Sequence, residues 1–105
     1  MILQREQSFG PIVGLQSVSG TDEAIKVLNS SKYGLESFIF TQNEDQMTEF
    51  TNSVNVGTIN FNHAPLVYDD MLPVSGRKRS GKMLKGGRHI FTKYSNYKSI
   101  IKHIL

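Results

Sequence analysis

Residues 37–62, SFIFTQNEDQMTEFTNSVNVGTINFN, decide the fold. Ser37-Phe38-Ile39-Phe40 reads as a buried strand, short, aromatic and β-branched. Thr41-Gln42-Asn43-Glu44 then matches a capping box, in which the Thr41 hydroxyl accepts from the Glu44 N–H and the Glu44 carboxylate reaches back. Met47, Phe50 and Val54 continue at helical spacing. Asn55-Val56-Gly57 breaks that period, and Thr58-Ile59-Asn60-Phe61-Asn62 alternates as a second strand.

Working upstream, Ile12, Val13, Leu15 and Val18 form a short apolar stretch opened by Gly10-Pro11, and it reads as a further strand. Ser19-Gly20-Thr21 supplies turn and N-cap residues. Asp22 and Glu23 follow where the positive end of a helix favours negative charge. Ala24, Ile25, Val27 and Leu28 share one helical face, and Gly34 is placed to take a left-handed conformation that ends the helix. Residues 1–62 thus read β-α-β-α-β, an order that implies parallel strands joined by right-handed crossovers. Downstream, residues 63–84 form a basic loop carrying Pro65, Pro73, Gly76 and Gly81. Residues 85–105 hold a short helix from Lys85 to Phe91 and a final strand from Tyr97 to Leu105. The fold class is α/β, in one unit.

Composition narrows the function classes. The 105 residues suffice for one domain or a piece of one, and 38% hydrophobic with 20% charged residues reads as globular. Apolar runs fall far short of the ~20 residues that span a bilayer, and Met1 to Gln7 has no apolar core of a signal peptide. Cysteine is absent, which excludes disulfides, thiolate metal sites and a cysteine nucleophile within the chain. The net charge of +3 conceals a split: residues 1–70 carry −6 and residues 71–105 carry +9, with no acid in the second part. A basic end of this kind attracts an anionic partner, or neutralises an acidic surface on its own chain or another. Charge alone does not choose.

Individual motifs supply no catalytic constellation. Gly76-Arg77-Lys78-Arg79-Ser80-Gly81-Lys82 spells G-x-x-x-x-G-K, but Met83 stands where a phosphate-binding loop needs Ser or Thr, and Pro73 argues against a buried strand feeding it. Arg77, Lys78 and Arg79 with Phe91, Tyr94 and Tyr97 offer charge and stacking faces for nucleic acid. A solvated or interface-covered basic loop accounts for them better. His63, His89 and His103 lack metal-ligand spacing, Asp69-Asp70 reads as a loop pair rather than an acid/base dyad, and no serine sits in a nucleophile elbow.

Four stretches in order carry a resemblance. Glu6-Gln7-Ser8-Phe9-Gly10-Pro11 resembles E-E-x-F-G-P. Asp22-Glu23-Ala24-Ile25 with Ser31-Lys32-Tyr33-Gly34-Leu35 resembles D-E-A-I…N-x-x-Y-G-L. Gly57-Thr58-Ile59-Asn60-Phe61-Asn62 is similar to G-T-V-x-I-N, and Pro73-Val74-Ser75-Gly76-Arg77-Lys78-Arg79-Ser80-Gly81 to P-F-G-G-x-K-x-S-G. Together they resemble the C-terminal part of the catalytic domain in the NAD(P)-dependent aldehyde dehydrogenase family.

The resemblance implies site residues. In the family, the Glu of E-x-F-G-P bonds the nicotinamide ribose hydroxyls and the Phe packs by the nicotinamide ring. Those positions are Gln7 and Phe9 here. Gln7 is a departure: a neutral amide bonds a hydroxyl without the charge assistance that roughly doubles such bonds. Phe9 also reads as a core aromatic opening a strand. Val74 stands where a Phe often lines the aldehyde pocket, Ser75 replaces the first glycine of the G-G pair, and Lys78 and Gly81 read as structural.

The family's cysteine nucleophile, glutamate base and glycine-containing nucleotide-binding domain are expected upstream, and Met1 reads as an internal methionine of a longer ancestral frame. The resemblance therefore implies a cytoplasmic oxidoreductase segment that oxidises aldehydes to acids only with an N-terminal aldehyde dehydrogenase segment. NAD or NADP is its cofactor, and a homo-oligomer its assembly. The resemblance implies that the chain is inactive alone, and the residues themselves predict no metal site and no membrane or nucleic-acid partner. The reading from another class is a stand-alone binding or assembly module with a basic anion-binding surface.

Overall fold

The computed structural model describes residues 5–63, 69–82 and 84–104. Met1, residues 64–68 of the predicted basic loop, Met83 and Leu105 lie outside them. Helix α1 spans Thr21–Ser30, and β1 (Tyr33–Gly34) and β2 (Glu36–Ile39) follow it directly. Helix α2 covers Glu44–Ser53 and leads into β3 (Thr58–Phe61). After these come β4 (Arg77–Lys78) and the short helix α3 (His89–Tyr94).

The predicted parallel pairing is present between β2 and β3, in the register Glu36↔Thr58 to Ile39↔Phe61. Helix α2 is the crossover between them. Ile25 of α1, Ile39 of β2, Phe50 of α2 and Val54 just after it form the buried core, with Ala24, Leu28, Val56, Ile59 and Phe61 packed around it. These side chains keep 8–9% of their surface exposed, so each contributes somewhat less than the ~1.5–3 kcal/mol of full burial. The helices thus cover one face of the two-stranded sheet, which a pair of strands needs for stability.

The helix starts differ in detail from the capping-box reading. Asn43, not Thr41, caps α2: its side-chain oxygen accepts from the Asp45 N–H at 2.9 Å and the Gln46 N–H at 3.1 Å. Thr41 sits two residues too early to reach those amides, and its Oγ1 accepts from the Asn43 N–H instead, at 3.1 Å. At α1, Ser19, one residue before the N-cap Gly20, donates from both its N–H (2.8 Å) and its hydroxyl (2.6 Å) to the Glu23 carboxylate.

Three predicted elements are corrected. Residues 12–18 form no strand; up to residue 62 the order among the described residues is α-β-β-α-β, not β-α-β-α-β. A strand exists through its ladder partner, and β2 and β3 pair with each other, leaving Leu15 95% exposed. Residues 97–104 are likewise irregular and exposed rather than a final strand, for the same reason. The last helix begins at His89, not Lys85, because Lys85 pairs with Val74 and Gly86 and Gly87 take positive φ (92° and 50°) that breaks a helix.

Gly34 is also not a left-handed helix terminator. It lies in β1, paired antiparallel with β4 in the register Tyr33↔Lys78, Gly34↔Arg77. Its requirement is space: a Cβ there would sit 2.7 Å from the Asn55 carbonyl oxygen and 3.1 Å from the Arg77 Cβ. No helix among the described residues is long and apolar enough to cross a membrane.

Candidate functional site

The residues between α1 and β2 are where the four sequence stretches meet. Lys32 pairs with the Glu6 carboxylate of the first stretch. Its main-chain oxygen accepts from the Arg79 N–H at 3.0 Å, within the fourth. Next to it, the Gly34 N–H donates to the Ser80 hydroxyl at 3.0 Å. The Gly57 N–H of the third stretch donates to the Gly34 and Leu35 carbonyls at 3.1 and 3.2 Å. A side chain on Gly57 would collide with the Ser75 carbonyl, so glycine here lets the loop close onto the sheet.

Lys78 fastens the same loop to α1. Its ammonium donates to the Asn29 carbonyl oxygen at 2.9 Å, near the negative end of the helix. Asn29 in turn donates from its side chain to the Ser53 carbonyl at 2.8 Å and accepts from the Asn55 N–H at 2.8 Å. One residue thereby ties the ends of both long helices to the basic loop. Lys78 itself stands at φ 54°, a conformation that L residues rarely adopt, held by its ladder pairing and this ammonium bond.

The loop is not a phosphate cradle. A phosphate-binding loop aims free backbone N–H groups at its ligand, whereas the Arg79, Ser80 and Gly81 N–H groups already donate to Lys32, Arg77 and Lys78 carbonyls. Arg77, Arg79, Lys82, Lys85 and Arg88 remain exposed around it. Among the described residues, no group of three or more His, Asp or Glu is placed to hold a metal ion.

The three residues singled out from the sequence occupy two segments. Gln7 and Phe9 lie on the exposed irregular segment before Gly10, with Phe9 93% exposed, so it is no core aromatic. Val74 is half-buried, held by reciprocal 2.8 Å backbone bonds with Lys85. The Glu6–Lys32 pair anchors the first segment one residue before Gln7. It holds the Glu6 carboxyl below the usual carboxylate range, through the Lys32 hydrogen bond first, then the Lys32 charge and that of Arg79. Both side chains are largely solvated, so salt screens the pair.

Lys32, Asn29 and Ser80 are joints that residue-level reading missed. Lys32 and Ser80 lie inside family-like stretches, but which groups face each other depends on the fold. An open apolar groove of about 330 Å³ lies on the other side of α1 and β2, lined by Val18, Val27, Leu28, Phe38 and Phe40 among others.

Comparison with known proteins accounts for the convergence. The aldehyde dehydrogenase family profile matches residues 1–100. A lactaldehyde dehydrogenase of Methanococcus maripaludis is 31% identical over 102 residues, which is 97% of this chain and 22% of that protein. The crystal structure of a salicylaldehyde dehydrogenase from Pseudomonas putida, complexed with salicylaldehyde, superposes with a TM-score of 0.80 at 27% identity. It covers 87% of this chain and 19% of that one. An indole-3-acetaldehyde dehydrogenase of P. syringae, in complex with NAD+, gives 0.83 at 28% identity over 91% of this chain and 19% of its own. The chain spans about a fifth of the length of the proteins it matches. It belongs to the aldehyde dehydrogenase family.

Proposed function

We propose that this chain forms the C-terminal part of an aldehyde dehydrogenase catalytic domain, contributing one edge of the cofactor site and one wall of the aldehyde pocket. The observation that carries the reading is the convergence of all four family-like stretches on Lys32, Gly34 and Gly57, through backbone and side-chain bonds. The reaction is oxidation of an aldehyde to a carboxylic acid. NAD or NADP, when bound, accepts the hydride.

The residues present fit that cofactor with a weakened set of contacts. Gln7 carries an exposed carboxamide, which both donates to and accepts from a ribose hydroxyl. It lacks the charge of the carboxylate it replaces, so its bond to the ribose is weaker. Phe9 presents nearly its whole ring for packing against the nicotinamide. Val74, smaller than the pocket-lining Phe of the family, widens the aldehyde side. The thiol nucleophile and general base come from the remaining four fifths of the family's length, in the same polypeptide or in a second one. That remainder also covers the apolar groove beside Phe38 and Phe40.

The test is reduction of NAD+ and NADP+ followed at 340 nm with an aldehyde panel. The 105-residue chain alone is expected to give no signal. Mixed with the upstream four fifths of the M. maripaludis relative, it is expected to give aldehyde-dependent NAD(P)H. No signal from any mixture, despite a stable complex on size exclusion, would sink the reading. The exposed basic side chains at 77, 79, 82, 85 and 88 favour a second reading, an anion-binding or assembly module. Heparin retention that falls steeply with salt would support it, and absent or salt-insensitive retention would remove it.

A further inference from the structure

We propose that Lys32 is a positioning residue: its side chain clasps Glu6 and so fixes the Gln7–Phe9 segment, while its main chain fixes the loop that carries Val74. The inference deepens the proposed function, since it assigns a means of setting one edge of that site against the other.

The argument starts from what holds residues 5–9. That segment is irregular and exposed, with no ladder partner among the described residues. The ion pair between the Lys32 ammonium and the Glu6 carboxylate reaches across 26 residues of sequence to hold it. The same lysine accepts the Arg79 N–H on its carbonyl at 3.0 Å, and its neighbours Tyr33 and Gly34 pair with Lys78 and Arg77. Lys32 is therefore covalently part of the structure that seats the loop, and its flexible arm carries this placement to the first segment. Arg79 adds a second positive charge near Glu6 without bonding it. A cation at position 32 is what the arrangement needs; a neutral side chain there leaves the segment free.

NMR on the 105-residue chain tests the clasp directly, with backbone order parameters for residues 7–9 and the titration of the Glu6 carboxyl as readouts. In Lys32→Gln, order at residues 7–9 is expected to fall, with the docked population reduced by up to about fivefold, the range an exposed ion pair supports. The Glu6 midpoint is expected to rise toward the ordinary value. Lys32→Arg should keep both readouts, and the swap Glu6→Lys with Lys32→Glu should restore the order that either single change loses. Signals of α2 and β3 should stay unchanged throughout, reporting an intact fold. Unchanged order in Lys32→Gln, or a swap no better than the single variants, would overturn the clasp. In the reconstituted enzyme, Lys32→Gln should raise KM for NAD(P)+ more than it lowers kcat. Should the order fall and KM stay fixed, the clasp stands, and the cofactor role given to Gln7 and Phe9 fails instead.

Discussion

Gly34 and Glu23 show how single positions carry this chain. Gly34 is buried between the Asn55 carbonyl and Arg77, with no room for a methyl group. Gly34→Ala is expected to cost about 1–3 kcal/mol, the usual penalty for overpacking, read as a lower urea midpoint at unchanged slope. Glu23 makes the opposite kind of contribution, electrostatic and solvated. Bonds from the Ser19 hydroxyl, then from the Ser19 N–H, hold its carboxyl below the ordinary range. A carboxyl depressed in the folded state stabilises it above the unfolded value of ~4.3 and loses that contribution as pH falls through the lower folded value. The Ser19 amide resonance should therefore move with acid in the native chain, and stay fixed over the same range in Glu23→Gln.

At the scale of elements, α2 is set by its cap and the strands by their partners. Asn43 satisfies two of the orphan N–H groups of α2, so Asn43→Ala is expected to cost about 1 kcal/mol in urea unfolding. Thr41→Ala should not reproduce that cap loss, because Thr41 bonds the Asn43 N–H and the Gln46 side chain rather than the helix amides that Asn43 satisfies. The parallel pair β2–β3 is closed at one end by Asn62. Its side chain accepts from the Thr41 N–H and donates to the Thr41 carbonyl, both at 2.8 Å, while its backbone turns at φ 55°. Segments 12–18 and 97–104 have strand-like composition and no ladder partner among the described residues. Composition supplies propensity, but the ladder requires a neighbouring edge.

Over the whole molecule, burial is small for the apolar content. The described core has four buried apolar side chains, while Phe9, Phe40, Tyr97 and Ile104 face solvent, the last 99% exposed. The radius of gyration of 18.9 Å exceeds the ~13 Å of a compact domain of this length. Solution scattering should return the larger value for the chain alone. The dye ANS should bind it, and addition of the upstream part of a relative should remove that fluorescence. A dye-free, 13 Å particle would contradict the picture of a surface made to be covered.

The sequence by itself determined the family, the crossover helix and the parallel strands around it. The crossover and its strands rest on local periods that residues 37–62 contain in full, and the family on four short motifs in order between Glu6 and Gly81. Gln7, Phe9 and Val74 are motif positions as well, and the cofactor and pocket roles proposed for them rest on those motifs. Tertiary structure alone decided which stretches touch: that Lys32 reaches Glu6, that Ser80 receives the Gly34 N–H, and that Gly34 is needed for closeness rather than for a turn. It also decided that residues 12–18 and 97–104 are not strands here. Pairing and close approach are relations between segments far apart in the chain. Either segment alone carries its propensity, and only the fold supplies the partner.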